Sequence, residues 1–237
     1  MARSQNAVTL GSGEVQVWFA RLDRMPARLA RMRTVLNPDE AARADRFFMD
    51  VHRNRFIAAR ALLRDLLAGY LDQTPASIRF AYNEWGKPAL AEDFGGRDVR
   101  FNLSHSQDLA MYAFALGREV GVDLEIIRGD VAIERLAENF FSTSEVATLR
   151  ALKREHQARA FFNCWTRKEA YVKARGQGLS IELKSFDVSI RPEEPAEIIR
   201  GVDRARWSMN SFEPMPDCVS ALVVEGRELH VAGPRWL

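Results

Sequence analysis

Strand-like and helix-like segments occur in the same order in two successive parts of the chain. The first part opens on a predicted strand, where Val15, Val17 and Phe19 alternate with polar residues. A helical pattern over residues 38–70 comes next, and then strand-like runs at residues 78–82, 99–103 and 109–116, with turns over residues 83–88 and 92–98. The first part therefore predicts a strand, a long helix and a further group of strands.

The second part repeats this order. The apolar run "VGVDLEII" at residues 120–127 predicts a strand, and the "STSE" of residues 142–145 has the form of a helix-capping box. Helical patterns cover residues 131–140 and 144–175, and strand-like runs follow at residues 185–190, 206–212, 218–224 and 228–231. We predict an α+β fold of two similar α+β halves in one compact unit, residues 1–118 and 119–237.

Composition and charge narrow the class of protein. Of 237 residues, 47% are hydrophobic and 28% charged, as in an ordinary globular protein, and 34 basic residues against 32 acidic ones give a net charge of only +2. This small net charge does not indicate a dedicated nucleic-acid binder, although it does not exclude a local basic patch. We find no signal-peptide pattern and no run of about 18 apolar residues, so we expect a cytoplasmic chain that avoids membranes. Cys164 and Cys218 are expected to be reduced and buried.

A carboxylate lies on the apolar side of the predicted helix over residues 144–175. At roughly 100° per residue, Glu169 falls in the same sector as Phe161, Trp165 and Val172, and Lys173 lies at its edge. Burying an uncompensated carboxylate costs several kcal/mol, roughly, so a cation, a hydrogen-bond donor or a metal should meet Glu169. The alternative is an ordinary surface ion pair between Glu169 and Lys173, four residues apart.

Two more carboxylates occur on the strand "VGVDLEII". Asp123 and Glu125 are two residues apart, so both leave one face of the strand while Val122 and Leu124 leave the other. An exposed strand face with ordinary acids would show the same pattern. Together with Glu169, however, these acids provide three oxygen ligands of the kind that suits Mg²⁺, with places left for water and phosphate oxygens.

Basic and hydroxyl side chains in the first part could meet phosphate groups. Ser104 and His105 lie at the end of the strand in "FNLSHS", and Lys87 lies in the turn "EWGKP". Arg55 and Arg60 lie beside the apolar face of the first long helix. Structural explanations compete in each case: a satisfied histidine, a solvated loop lysine and arginines whose stems cover apolar surface. No Walker A or GxGxxG motif offers another phosphate site.

The five motifs "EWGKP", "FNLSHS", "VGVDLE", "FFSTSE" and "FFNCWTRKEAYVKARGQGLS", in this order and spacing between residues 84 and 180, strongly resemble those of the surfactin-type 4'-phosphopantetheinyl transferases. The resemblance implies a pseudo-two-fold monomer that binds coenzyme A and Mg²⁺ between its halves. It implies an enzyme of the holo-[acyl-carrier-protein] synthase type, which moves the phosphopantetheine arm of coenzyme A onto a serine of an apo acyl or peptidyl carrier protein and releases 3',5'-adenosine bisphosphate.

The resemblance also implies roles for individual residues. Metal ligation falls to Asp123, Glu125 and Glu169, and catalysis to Glu169 and Lys173, with Glu169 acting as base directly or through a metal-bound water. Lys173 would face the pyrophosphate. Coenzyme contacts fall to Lys87, Ser104 and His105, and to Arg55 and Arg60 on a helix that aligns only loosely.

Two other classes of function remain open at the level of sequence. A non-catalytic module that binds coenzyme A or carrier proteins would not need three convergent acids. A Mg²⁺-dependent nucleotidyl or phosphoryl transferase would be expected to carry a phosphate-loop motif, which is missing. The sequence does not identify the carrier protein. Phe140 and Phe141 could belong to a docking surface or to the core.

Overall fold

The computed structural model describes residues 9–24, 26–92 and 98–237, so most of the turn predicted over residues 92–98 lies outside the described part. The described residues of the first half of the chain form eight helices and strands. They are β1 (Glu14–Arg21), α1 (Leu29–Thr34), α2 (Pro38–Asp45), α3 (Asp50–Leu71), β2 (Phe80–Tyr82), β3 (Pro88–Leu90), β4 (Val99–Ser106) and β5 (Leu109–Leu116). The strands predicted in this half are present, which confirms that part of the interpretation.

The helical pattern over residues 38–70 is two helices rather than one. Asn37 caps α2 in a capping box with Glu40, α2 ends at Asp45, and α3 begins at Asp50. The break lets α2 fold back onto α3, where Glu40 pairs with Arg60 and Arg64. Because the intervening residues contain neither glycine nor proline, the sequence pattern gave no sign of this break.

Nine regular elements form the second half. They are β6 (Val120–Ile126), α4 (Ile133–Phe140), α5 (Thr143–Ala151), α6 (Arg154–Arg175), β7 (Asp187–Val188), β8 (Ile198–Arg200), β9 (Trp207–Phe212), β10 (Cys218–Glu225) and β11 (His230–Trp236). The predicted capping box is confirmed at the start of α5, where Ser142 and Glu145 exchange side-chain and backbone hydrogen bonds. The helical pattern over residues 144–175 is again two helices, because α5 ends at Ala151 and α6 begins at Arg154.

Two sheets form the centre of the molecule. The first has the strand order β11-β1-β5-β4 and the second the order β6-β10-β9. Apolar side chains of β1 and β5 share one core cluster with those of β6 and β10, including Phe19, Met111, Val122 and Leu222. The mixed α+β fold is therefore one unit with a common core. Both cysteines are free and buried, as expected.

The last strand returns to the first half. β11 pairs in parallel with β1, and the ring of Trp236 lies 5.6 Å from that of Phe19. Residues 230–236 therefore lie with the first sheet, although they follow the second half along the chain. The boundary near residue 118 stays a prediction. None of the helices in the described ranges combines the length and apolarity needed to cross a membrane.

Candidate active site

β4 and β6 face each other across the junction of the halves through a row of polar contacts. Asn102 accepts a hydrogen bond from the backbone N–H of Val122 at 2.9 Å, and the hydroxyl of Ser104 donates to Oδ1 of Asp123 at 2.8 Å. One step further along, Ser106 donates to Glu125 at 2.8 Å. Because alternate residues of a strand share a face, the motif "FNLSHS" supplies this row while its apolar residues turn to the other side.

Asp123 lies at the centre of the site. Its side chain is almost fully buried, and Oδ1 also accepts a hydrogen bond from the ammonium of Lys173 at 2.6 Å. The same ammonium lies 3.0 Å from the hydroxyl of Ser104. Oδ2 is buried without a hydrogen-bond partner among the residues that the structure describes. A buried carboxylate oxygen without a donor is costly, so this atom is suited to receive a cation.

Gly121 explains how α6 comes close enough to β6 to contribute to the site. A Cβ atom on Gly121 would lie 2.2 Å from the carbonyl oxygen of Ala170 and 2.2 Å from the amide nitrogen of Ala174. The helix backbone therefore rests directly on the strand, on the face from which Asp123 and Glu125 project. Sequence reasoning missed this residue; its signal was a glycine inside an apolar strand, which marks a close backbone approach.

The three acids lie near enough to affect one another. Burial raises the pKa of Glu169, repulsion from Asp123 and Glu125 raises it further, and Lys173 opposes the shift. Burial also raises the pKa of Glu125, against the hydrogen bond from Ser106, and Asp123 adds to the increase. Within the described ranges, no group of three acids, histidines or cysteines is already arranged as a metal cluster. The lysine ammonium instead neutralises Asp123.

A cleft of about 720 Å³ opens beside these residues. Ser104, His105 and Lys173 line it together with two arginines of the α2 region, Arg43 and Arg46. The guanidinium of Arg43 lies 5.3 Å from the centre of the Phe56 ring, and no ion pair of Arg43 or Arg46 is found in the part of the chain that the structure describes. The cleft wall therefore offers cations to an anionic ligand. No motif had fixed which basic residues of this region take part.

The nearby cations affect the pKa of His105. Desolvation by the surrounding protein lowers its pKa, and Lys173, Arg55 and Arg43 lower it further, although part of the ring faces solvent. The imidazole is thus neutral at pH 7 and can gain a proton when an anion enters the cleft.

The other three predicted coenzyme contacts are already paired with carboxylates. Arg55 binds Asp23 through two hydrogen bonds of 2.9 and 2.6 Å. Arg60, which lines the cleft, is buried and donates to Glu40 at 2.6 Å. Lys87 donates to Glu119 at 2.7 Å. Their roles toward a coenzyme stay predictions.

Comparison with known proteins identifies the family. Residues 119–223 match the family model described as the 4'-phosphopantetheinyl transferase superfamily, and residues 23–116 match the model of a 4'-phosphopantetheinyl transferase N-terminal region. The chain belongs to the 4'-phosphopantetheinyl transferase superfamily.

Among its relatives, the 4'-phosphopantetheinyl transferase HetI of Nostoc sp. is 40% identical over 92% of this chain and 91% of its own length. The 4'-phosphopantetheinyl transferase Sfp of Bacillus subtilis is 29% identical over 71% of this chain and 72% of its own length. The solved holo-[acyl-carrier-protein] synthase of Thermotoga maritima aligns with 46% of this chain and 64% of its own, at 22% identity and a TM-score of 0.37.

The protein is accordingly a transferase that moves the phosphopantetheine group of coenzyme A to carrier proteins. The resemblance seen in the motifs is confirmed at the level of the family. A non-catalytic binding module is not favoured.

Proposed function

We propose that this protein is a surfactin-type 4'-phosphopantetheinyl transferase that works as a Mg²⁺-dependent monomer on apo acyl or peptidyl carrier proteins, converting them to the holo form. The observation that carries the proposal is that Asp123 and Glu125 share one face of β6, while α6 brings Lys173 against Asp123 and holds Glu169 near enough for the charges of both acids to raise its pKa, beside a basic cleft. Cations suit the phosphates of coenzyme A, and acids suit a divalent ion. The chain's similarity to Sfp over 71% of its length supports the type.

The acids fit a magnesium ion by their chemistry. Asp123 has a buried oxygen without a protein donor in the described part of the chain, and burial together with repulsion among the acids raises the pKa of Glu125 and of Glu169, which a bound cation would offset. All three offer the hard oxygen ligands that Mg²⁺ prefers. When bound, Mg²⁺ would offset the negative charge that develops on the pyrophosphate.

The protein's own side chains supply binding and proton transfer in this proposal. Arg43, Arg46 and His105 hold phosphate groups of coenzyme A in the cleft, which places the pyrophosphate beside Lys173. The hydroxyl oxygen of the carrier serine attacks the β-phosphorus, and the phosphorus–oxygen bond to the adenosine bisphosphate breaks. Lys173 stabilises the negative charge on the departing phosphate.

Glu169 is the proposed acceptor of the serine proton. Burial raises its pKa above that of an ordinary carboxylate when no metal is bound, which favours proton acceptance, and it lies on α6 one turn from Lys173. Base and cation are thereby held on the same face of one helix.

The carrier protein must reach the cleft from outside. Of the two phenylalanines considered for docking, Phe141 is buried in the core of the second half. Phe140 keeps an exposed face while its ring packs edge-on against Trp165 at 5.6 Å. Phe140 is therefore the member of the pair that a carrier could contact.

A mass-shift assay tests the proposed function. Apo carrier proteins from fatty-acid, polyketide and nonribosomal-peptide systems are each incubated with the enzyme, coenzyme A and Mg²⁺, and a parallel reaction contains a chelator. A substrate carrier should gain about 340 Da, the mass of the covalent arm, only when Mg²⁺ is present. Modification that continues in the chelator would contradict the metal requirement. Modification of fatty-acid carriers alone would contradict the surfactin type.

A further inference from the structure

The turn between β2 and β3 is fastened to the far end of α6, across the junction of the two halves. The side-chain nitrogen of Asn83 donates to the carbonyl oxygen of Gly176 at 2.7 Å. Its side-chain oxygen accepts from the backbone N–H groups of Trp85 at 3.0 Å and Lys87 at 2.8 Å. One asparagine thus orders the turn "EWGKP" and joins it to the helix.

Lys87 makes the second attachment. Its ammonium donates to the carbonyl oxygen of Ala174 at 2.9 Å and to Oε2 of Glu119 at 2.7 Å, and its side chain is only 15% exposed. Glu119 also accepts from Arg100 at 3.3 Å. Gly86 and Pro88 line the basic cleft, whereas the side chain of Lys87 leaves the turn toward α6 and lines a separate cavity together with Glu119 and Arg100.

These contacts meet a specific need of the helix. The last carbonyl groups of an α-helix have no partner within the helix and carry partial negative charge, so a cation there is favourable. Gly176 ends α6 with a φ of +67°, and a Cβ atom at this position would lie 3.0 Å from Cδ of Lys87 and 3.3 Å from Nδ2 of Asn83. The fit between turn and helix end is therefore close.

We propose that Asn83, Lys87 and Glu119 form an inter-half clasp that sets the position of the last turn of α6. Lys173 precedes Ala174 directly, so the clasp decides where its ammonium meets Ser104 and Asp123. Lys87 is then a positioning residue, not a ligand of coenzyme phosphates. This inference rests on the proposed role of Lys173 in the reaction.

The buried charge of Lys87 supports this role. Burial lowers its pKa, whereas Glu119 opposes the shift, so the ammonium depends on its carboxylate partner. An ammonium has three N–H donors, and two of those of Lys87 are already engaged by Glu119 and Ala174, which leaves one for any other acceptor. Arg43 and Arg46 line the cleft and have no ion-pair partner among the described residues.

Steady-state kinetics with a double-mutant cycle separate the two roles. Lys87→Met should lower kcat about tenfold and leave KM for coenzyme A within about twofold, because the ligand sites stay while Lys173 is displaced. Glu119→Gln should have a similar effect, and the double variant should be no worse than the poorer single variant. Arg43→Gln, by contrast, should raise KM for coenzyme A. Lys184→Met, at an exposed lysine, is the control.

Hydrogen exchange tests the clasp independently of catalytic activity. Backbone amides of residues 174–178 should exchange faster in Lys87→Met and in Asn83→Ala than in the unmodified protein, while those of β5 stay unchanged. If Lys87→Met does not fold, Asn83→Ala tests the same contact. The clasp would be overturned by unchanged exchange at the end of α6, by additive losses in the double variant, or by a tenfold higher KM with unchanged kcat. Failure of the proposed function itself would instead appear as an unmodified carrier with the unaltered enzyme.

Discussion

The ammonium of Lys173 lies 2.6 Å from Oδ1 of Asp123 and so links α6 to β6 at the centre of the site. Only one carboxylate oxygen of Asp123 takes part in this pair, because Oδ2 is buried and has no donor within the described ranges. One carboxylate thus contacts the side chain that we propose to face the leaving group, and its second oxygen is the one proposed for the metal. Asp123 therefore connects the proposed metal site with the proposed contact between Lys173 and the leaving group.

Replacement of Asp123 should therefore affect both functions at once. Asp123→Asn keeps the shape of the side chain but removes its charge, and we expect kcat to fall about 100-fold or more and Mg²⁺ to bind more weakly. Turnover at several Mg²⁺ concentrations measures both effects. Asp130→Asn, at an exposed acid outside the cleft, is the control. Full activity of Asp123→Asn would show that Asp123 is not a ligand of the metal.

Glu169 has two proposed roles, and both require a carboxylate. Glu169→Gln should lower kcat about 100-fold, because it removes a metal oxygen and the acceptor of the serine proton. Single-turnover measurements at saturating Mg²⁺ test this expectation. Glu155→Gln removes an exposed acid of the same helix and should leave activity unchanged. Near-normal turnover of Glu169→Gln under these conditions would show both roles to be wrong.

His105 predicts a pH dependence of coenzyme binding. Partial desolvation and the nearby cations hold its pKa below the ordinary value, so the free enzyme carries a neutral imidazole at pH 7. A bound phosphate raises that pKa, and a group whose pKa rises on binding makes binding tighter as pH falls. The dissociation constant for coenzyme A should thus drop about fivefold from pH 8 to pH 6.5.

Isothermal titration calorimetry measures this dependence. His105→Gln should give a flat profile over the same range, and His156→Gln, at an exposed position on α6, should keep the slope. If the affinity of His105→Gln still depends on pH, the proton taken up on binding belongs to another group.

Gly121 provides a test of the contact between β6 and α6. A Cβ atom would meet the helix backbone at 2.2 Å, so Gly121→Ala must push the helix away from the strand. We expect a loss of about 3 kcal/mol in the free energy of unfolding, or about 10 °C in Tm, together with loss of activity. Gly129→Ala, where a Cβ has no neighbour within 4 Å, should change neither. An equally stable Gly121→Ala would contradict the close approach.

Local patterns sufficed to predict several features of this protein. The alternation in "VGVDLEII" placed Asp123 and Glu125 on one face of a strand, and the structure shows that face turned toward β4 and α6. The capping box at Ser142 also follows from residues three positions apart. Such features depend on the geometry of a single element, which the neighbouring residues determine.

Contacts between distant segments could not be predicted in this way. The bond from Lys87 to Ala174 spans 87 positions, and β11 pairs with β1 from the opposite end of the chain. The break between α2 and α3 likewise brings separate segments together, because Glu40 meets Arg60 and Arg64. The sequence by itself determined most of the strands, the capping box, the acidic motif and the family resemblance, but not the helix breaks. Only the tertiary structure decided which cations line the cleft and which are already paired, because that choice depends on charges brought together by folding.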